Sequence, residues 1–198
     1  MSGIVGSKLN IRGSGLVASY GTDGQHMLSA GAGVSNVFET VAGGGGKIGQ
    51  CISTTVTVAT ASCTADAYED MTGMTLNITP AATTSKILVM FDINTGSQTG
   101  YSAKAQLVRD STAIAVGAAA GSRSVCSVDL RNTSDQAQMI ERSMSVLDEP
   151  STVSAVTYKL QWKESEDTTL YLNRSYQDTD DARFGRAAST ITALEVLA

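Results

Sequence analysis

Most of the chain alternates short apolar and polar stretches, and the period of this alternation predicts β-strands. The clearest case is AVTYKLQWK at 155–163, where Tyr158, Leu160 and Trp162 fall on one face and polar residues on the other. A strict period of two is typical of a half-buried strand. KILVMFDI at 86–93 is apolar on both faces, which predicts a central strand covered above and below.

Segments of this kind, rich in Val, Ile, Thr and Tyr, recur at intervals of about a dozen residues. The predicted strands are CISTTVTV (51–58), MTLNIT (74–79), KILVMFDI (86–93), AKAQLVR (103–109), TAIAV (112–116), SVCSVDL (124–130), QMIERSMSVL (138–147), AVTYKLQWK (155–163), TLYLNR (169–174) and STITALEVL (189–197). RDST at 109–112 predicts a tight turn between two strands. With almost no helical periodicity, the pattern predicts an all-β fold, an antiparallel jelly-roll-like β-sandwich.

The first 46 residues differ in composition from the rest of the chain. Most of the 19 glycines lie in the first 50 residues, and aliphatic residues there come singly or in pairs. Such a segment buries too little apolar area to offset its backbone entropy. The tetraglycine at 43–46 is typical of a flexible joint. We therefore predict an extended glycine-rich N-terminal arm with its linker at 1–46, and a β-sandwich head domain at 47–198.

Composition and charge exclude several classes of partner. The 198 residues are 42% hydrophobic and 17% charged, which is ordinary for a globular protein. A formal net charge of -5 argues against nucleic acid, whose binding depends on clustered Lys and Arg. The first residues, MSGIVGSKLNIRGSG, lack the apolar block of a secretory signal, and the longest apolar run is ILVMF at 87–91, so we expect no membrane association.

Motifs for catalysis or phosphate binding are incomplete. A catalytic triad or Cys-His pair would require His26, the only histidine, and no neighbouring cluster orients it. We interpret His26 as a polar residue in an assembly contact. GGGGK at 43–47 resembles a phosphate loop, but that motif needs glycine in place of Val41 and Ser or Thr in place of Ile48. A linker is the simpler interpretation.

The acidic side chains offer two further hypotheses. Asp178, Asp180 and Asp181 in DTDD could supply oxygen ligands to calcium, but the loop lacks the glycine and distal glutamate of the calcium-loop pattern. A solvated loop whose acids face Arg183 and Arg186 is the alternative. Carboxylate pairs for glycoside hydrolysis are set in three dimensions, and the candidates are Glu141, Asp148, Glu149, Glu164, Glu166 and Asp167. Surface charges that keep the protein soluble are the simpler interpretation.

Tyrosine and cysteine side chains are the remaining candidates for a functional site. Tyr101, Tyr171 and Tyr176 are candidates for a sugar-binding face, although single tyrosines on strands are more often packing residues. The cysteines Cys51, Cys63 and Cys126 are odd in number and widely spaced, which fits neither a disulfide framework nor a zinc site. We predict free thiols, no cofactor and no metal.

Several stretches carry a family resemblance. GTDGQHMLSAGAGVSNVFE at 21–39 resembles a segment that recurs in bacteriophage tail-fibre and other virion surface proteins, through its glycines, Gly24-Gln25, Met27-Leu28 and Phe38-Glu39. SKILVMFDI, LVRDSTAIAVG, LDEPSTVSAVTYKLQW and LYLNRS look like the sheet domain of the same class. That domain is distantly similar to trimeric jelly-roll heads of the complement and tumour-necrosis-factor kind.

The resemblance implies a non-enzymatic structural protein on the virion surface, made in the host cytoplasm. Our first hypothesis is a homotrimeric capsid decoration or cement protein whose arm binds the major capsid protein. The residues expected to make virion attachment are Leu16, Val17, Tyr20, Gly21, Gly24, Met27, Leu28, Gly31, Gly33 and Phe38. The second hypothesis is a short tail fibre or spike, bound to a tail protein, whose head binds a host-surface glycan or receptor. The third is a glycan depolymerase.

Overall fold

The chain divides into two units, Met1–Gly46 and Lys47–Ala198. The computed structural model describes all of residues 47–198 and, before them, only the backbone of four short strands. These are β1 (Asn10–Ile11), β2 (Gly15–Leu16), β3 (Gln25–Leu28) and β4 (Val37–Thr40). β1 pairs with β2 and β3 pairs with β4, both antiparallel.

The head, residues 47–198, is built from eleven strands and no helix. They are β5 (Ile48–Val56), β6 (Ser62–Cys63), β7 (Glu69–Ile78), β8 (Lys86–Gly96), β9 (Ala103–Arg109), β10 (Thr112–Ile114), β11 (Val128–Asp129), β12 (Ile140–Asp148), β13 (Val156–Glu164), β14 (Leu170–Leu172) and β15 (Ser189–Val196). All their pairings are antiparallel.

The strand order is that of a jelly roll. One sheet, called the first sheet, runs β5-β15-β8-β12, with the short β14 and β6 continuing it beside the end of β8. The second sheet runs β7-β13-β9, and β10 and β11 both pair with the outer side of β9. Leaving aside the two-residue strands and β14, the first sheet contains the first, eighth, third and sixth strands of the head. The second contains the second, seventh, fourth and fifth. This double Greek-key arrangement confirms the jelly-roll sandwich.

The core lies between the two sheets and follows from the alternation along each strand. In β13 every second residue is buried, so Tyr158, Leu160 and Trp162 point inward as predicted. They pack with inward residues of the first sheet such as Ile87 and Ile191, which are fully buried. The predicted turn at 109–112 joins β9 to β10, and Asp110 takes a positive φ of 54° there.

Strand directions define two ends of the head. One end, called the Lys47 end, holds the start of β5, the end of β15 and the loops 79–85 and 149–155; the Leu197 amide donates to the Lys47 carbonyl across 2.7 Å. The other end, called the loop end, holds the connections 97–102, 130–139, 165–169 and 173–188. The chain therefore enters and leaves the sandwich on the same side.

Buried polar groups fix the loop end. Asn173 is fully buried with φ 62°, and its amide donates to the carbonyls of Val56 at 2.7 Å and Val58 at 3.2 Å. The Ser189 hydroxyl donates to the Asn173 side-chain oxygen at 2.6 Å. These bonds join the ends of β5, β14 and β15, and satisfied buried groups of this kind fix a single loop arrangement.

The observed strands correspond to all ten predicted ones, with differences at their ends. β7 begins at Glu69, five residues before the predicted start, because Gly73 at φ 83° lies where the register against β13 shifts and lets the strand continue through a bulge. β11 has only two residues, whereas a seven-residue strand was predicted. The two-residue β6 was not predicted.

Gly96 generates a stability prediction. A methyl group at this position would lie 2.3 Å from the Arg174 carbonyl oxygen and 2.6 Å from the Ser175 backbone. We expect Gly96→Ala to lower the free energy of unfolding by about 1–3 kcal/mol or more, because backbone must move to make room. Chemical denaturation of the full chain measures this change.

Gly117→Ala is the matched control, since the nearest atom to its added methyl group is 3.9 Å away. We expect it to change stability by less than about 0.5 kcal/mol. Equal effects of the two substitutions would show that the 174–175 segment does not lie against Gly96.

Candidate functional site

The outward face of the first sheet carries an apolar row across four strands. Register places Leu147 of β12 opposite Leu88 of β8, Leu88 opposite Leu194 of β15, and Leu194 opposite Cys51 of β5. None of these side chains is buried, and Leu147 is 49% exposed. An apolar row that crosses a whole sheet on its solvent side is a feature of interaction surfaces.

The next row toward the Lys47 end extends this surface on β15 and β5, while Lys86 occupies the row on β8. Val196 of β15 pairs with Ile48 of β5, which is 52% exposed. On the other side of the Leu88 row, Met90 of β8 is only half-buried. We call the set Leu147, Leu88, Leu194, Cys51, Val196, Ile48 and Met90 the apolar band.

The apolar band corrects one expectation about β8. The strand is central, with β15 on one side and β12 on the other, but only its inward face is covered within the described chain. Ile87, Val89 and Phe91 are buried, whereas Leu88 and Met90 are only partly buried. The predicted cover on the second face is absent because no element of residues 47–198 lies over this half of the sheet.

The second sheet has a mostly polar outward face whose side chains bond to each other. The Gln106 amide donates to Gln161 at 2.8 Å, and Asp70 accepts from Lys159 and Gln161, both at 2.8 Å. These bonds from Lys159 and Gln161 hold the pKa of Asp70 below its usual value. Thr157 donates to Asn77 at 2.6 Å. The outward faces of the two sheets therefore differ: that of the first sheet carries the apolar band, and that of the second sheet is mostly polar and compatible with exposure to water.

The edges of the first sheet also differ. β5 lies beside β7 of the second sheet, since Thr54 donates to the Thr75 carbonyl at 2.9 Å and Gln50 to the Thr79 carbonyl at 2.7 Å. β12 pairs only with β8 among the described residues, so its other backbone edge is open. Open strand edges are sites where another chain can add.

The candidate catalytic carboxylates are divided between the two ends of the head. Asp148 accepts from Arg109 at 2.8 Å and from the buried Tyr158 hydroxyl at 2.5 Å, which ties β12 to the second sheet. Burial, and then the hydrogen bond to Asp148, raise the pKa of Tyr158 far above its ordinary range. Glu149 pairs with Lys86 at the same Lys47 end.

The remaining candidates lie away from these two. Glu164, at the loop end, is buried and accepts from the backbone amides of Glu166 and Thr168. Glu141 is exposed on β12, and Asp167 is exposed with φ 55°. Within the described residues no group of three or more His, Cys, Asp or Glu side chains is arranged to hold a metal ion.

The DTDD acids face arginines, as the solvated-loop interpretation predicted. Asp178 pairs with Arg186 and, at 2.9 Å, with Arg174, while Asp181 pairs with Arg183 at 3.0 Å. The hydrogen bond from Arg186 is the main cause that lowers the pKa of Asp178. Asp178 to Asp181, Phe184 and Arg186 line a cleft of about 410 Å³. The arginines compensate two of the three carboxylates.

Two of the three tyrosines named from the sequence come together at this loop. The ring centroids of Tyr171 and Tyr176 are 5.9 Å apart, and the Arg174 guanidinium lies 3.5 Å over the Tyr171 ring. Tyr101 lies in the separate 97–102 connection. Stacking by Arg174 occupies one face of Tyr171, so the pair also packs the loop.

All three cysteines are free thiols. Cys63 is buried, and desolvation raises its pKa to about 12, so its thiolate is not populated at neutral pH. Cys126 is half-buried and Cys51 is exposed in the apolar band. Cys51 is thus the thiol that reports on access to this surface.

The structure places only part of the predicted attachment set. Leu16 lies in β2, Met27 and Leu28 in β3, and Phe38 in β4. Register places Met27 opposite Phe38, Leu28 opposite Val37, and His26 opposite Glu39. The other predicted residues lie outside the described residues: Val17, Tyr20, Gly21, Gly24, Gly31 and Gly33.

No protein-family model matches this chain, and no curated protein is significantly similar to it. In the described part of the chain, no helix has the length and apolar character that crossing a membrane requires.

Glu195 generates a prediction on pH. It is buried beside the Lys47 end, where Gln50 donates to it at 2.8 Å and the Ala81 amide at 2.6 Å. Burial raises its pKa, but these hydrogen bonds outweigh burial and hold the pKa below the usual value. A carboxyl whose pKa is lowered on folding stabilises the fold above its unfolded pKa, and this contribution is lost as pH falls through the folded pKa.

We therefore expect Glu195→Gln to lower the free energy of unfolding at pH 7 by about 1–3 kcal/mol, because the Gln50 side chain and the Ala81 amide lose a charged acceptor. The difference from wild type should shrink as pH falls below about 4.3, the ordinary value for Glu. Denaturation at several pH values measures this. Glu141→Gln, at an exposed position, is the control and should follow wild type; a Glu195→Gln deficit that is constant with pH contradicts the account.

Proposed function

We propose that this chain is a structural protein on the outside of a tailed-phage virion, a homotrimeric decoration or cement protein held by its N-terminal arm. The placement on a phage rests on the resemblance of residues 21–39 and of the sheet segments. Self-association rests on the head itself. The observation that carries it is the apolar band on the outward face of the first sheet.

The physical argument for self-association is the asymmetry of the two faces. The outward face of the second sheet is mostly polar, and several of its side chains bond to each other, so this face is compatible with exposure to water. Water is a poor neighbour for the band, where burying each Å² of apolar surface contributes about 25 cal/mol. Around a three-fold axis each copy meets two neighbours, so its apolar band and its open β12 edge pack against different patches of those neighbours.

Three-fold closure is the part of the proposal that comes from the resemblance to trimeric jelly rolls. Closed symmetry of any order leaves no band exposed, so the number three rests on that resemblance alone. The open edge of β12 lies directly beside Leu147, so a neighbour that covers the band also reaches the edge.

The arm is proposed as the attachment element. Its strand pairs β1–β2 and β3–β4 carry four of the predicted attachment positions in paired backbone. Four-residue pairs such as β3–β4 are too short to be stable alone. Addition of a partner strand, of the kind seen in β-augmentation, would supply the missing backbone bonds.

The Tyr171–Tyr176 pair and the adjacent cleft favour a second candidate, a short tail fibre or spike whose head binds a host-surface glycan. Aromatic rings beside hydrogen-bonding carboxylates and arginines suit a sugar ring. They lie at the loop end, away from Lys47. Imaging of labelled protein on particles separates the two candidates, since a cement protein lies on the capsid shell and a fibre on the tail.

The apolar band generates a prediction on assembly. We expect the double variant Ile48→Asp, Leu147→Asp to be a monomer at micromolar concentration where the wild type is a trimer, because two charges would be buried without partners. Both residues are half-exposed in the single chain, so the variant should remain folded. Light scattering gives the mass and circular dichroism the fold.

Val153→Asp is the matched control, since Val153 is 53% exposed but lies in the 149–155 loop outside the band. It should remain trimeric. A double variant that is folded and still trimeric would exclude the band as the interface, and a wild type that is monomeric would exclude self-association.

The arm generates a second prediction. Deletion of residues 1–42 should abolish binding to virions while the head keeps its fold. The deletion removes all the predicted attachment residues, and the head carries none of them. Co-sedimentation with particles that lack the protein measures binding. Bulky substitutions of Gly31 and Gly33 should weaken it; full occupancy by the truncated chain would assign attachment to the sandwich.

A further inference from the structure

Two lysines face each other on the outward side of the second sheet. Lys104 of β9 is directly opposite Lys163 of β13 in the antiparallel register. Directly opposed side chains have their Cβ atoms about 5 Å apart, and like charges in this position destabilise a sheet. Both lysines are half-buried, so water screens them only in part.

Neither ammonium group has a carboxylate partner within residues 47–198. Lys104 donates to the Ser102 hydroxyl, and the Lys163 ammonium lies 5.4 Å from the centre of the Tyr68 ring. Lys159, on the same face of β13, is different because it pairs with Asp70 at 2.8 Å. The sheet therefore provides one lysine with an ion pair, and the adjacent two form none within residues 47–198.

Two carboxylates near the pair accept hydrogen bonds from backbone amides and not from the lysines. Asp129 lies opposite Lys104 on β11, and its carboxylate accepts from the Arg131 amide at 2.8 Å. Glu166 accepts from the Ser102 amide at 2.9 Å. Arg131 adds a third positive charge on this side. The two carboxylates moderate the potential, but neither forms an ion pair with the lysines.

We propose that Lys104 and Lys163 form a binding site for an oxyanion, a carboxylate, sulfate or phosphate group, with the Tyr68 ring as its apolar wall. One oxyanion placed between the ammonium groups accepts from both and removes their mutual repulsion. The Tyr68 hydroxyl donates to the Val125 carbonyl at 2.7 Å, which fixes the ring beside Lys163.

The location suits a ligand presented from outside. Lys104 is the second residue of β9 and Lys163 the last but one of β13, so both lie at the loop end, opposite Lys47. An acidic sugar has the matching chemistry, since its carboxylate fits the lysine pair and its C–H face fits an aromatic ring. Free inorganic phosphate has the same charge chemistry without the apolar part. The site is independent of the proposed virion role.

Titration of the full-length protein with D-glucuronate, inorganic phosphate and D-glucose, at constant ionic strength, tests the proposal by NMR. We expect saturable shifts of the amides of residues 102–105 and 162–164 with glucuronate, and none with glucose. Lys104→Gln and Lys163→Gln should each weaken binding about fivefold, as for a partly exposed charge pair, and the double variant should abolish it. Lys159→Gln is the matched control and should bind as wild type.

Tighter binding of glucuronate than phosphate assigns the site to acidic sugars, and the reverse assigns it to free phosphate; both support an oxyanion site. No saturable shift with either anion, or equal loss in Lys159→Gln, overturns it. Stability provides a second measurement that does not need a ligand. Lys104→Gln should leave the free energy of unfolding unchanged or raise it, whereas loss of stability in this variant would overturn the proposal, because it would show that Ser102 and Asp129 already stabilise the Lys104 charge in the fold.

Discussion

The constraint on which the head depends is that β8 is apolar on both faces and lies in the middle of its sheet. Its inward side chains, among them Ile87, Val89 and Phe91, pack against the second sheet and form much of the core. Its outward side chains, Leu88 and Met90, have no such partner in the single chain. A sandwich of two sheets covers only one face of each, so the outward apolar side chains of β8 have no covering layer among residues 47–198. In our proposal, a neighbouring copy covers the band that β8 shares with β5, β12 and β15.

The loop end and the Lys47 end are built differently around this core. Asn173, with its bonds to Val56, Val58 and Ser189, fixes the loop end by satisfied buried hydrogen bonds. At the Lys47 end, Glu195 connects β15 to the 79–85 connection, and Asp148 connects the two sheets. Glu195 and Asp148 therefore have a structural role, because they connect elements of the fold. The half-buried lysine pair makes no comparable connection.

Sequence periodicity was sufficient for the fold class and for the strands, because alternation in segments such as 155–163 reports directly on which side chains reach the core. The start of β7 was predicted too late, because a bulge at Gly73 extends the strand and the isolated glycine is only a weak sequence signal of a bulge. Only KILVMFDI indicated the apolar band in the sequence. The positions of Leu147, Leu194 and Ile48 within the band depend on strand register. Pairing of Lys104 with Lys163 also required the register, which sequence alone does not provide. The sequence of β8 is apolar on both faces, but residues 47–198 cover only the inward face.

Thiol labelling of the wild-type protein tests most directly whether the apolar band is covered in solution. Cys51 lies within the band and is exposed in the single chain, Cys126 lies outside it and is half-buried, and Cys63 is buried. With a neutral maleimide under native conditions, followed by peptide mass mapping, our account predicts that Cys51 is protected at micromolar protein concentration and becomes reactive on dilution, while Cys126 reacts equally at both. Rapid labelling of Cys51 that does not depend on protein concentration would contradict it.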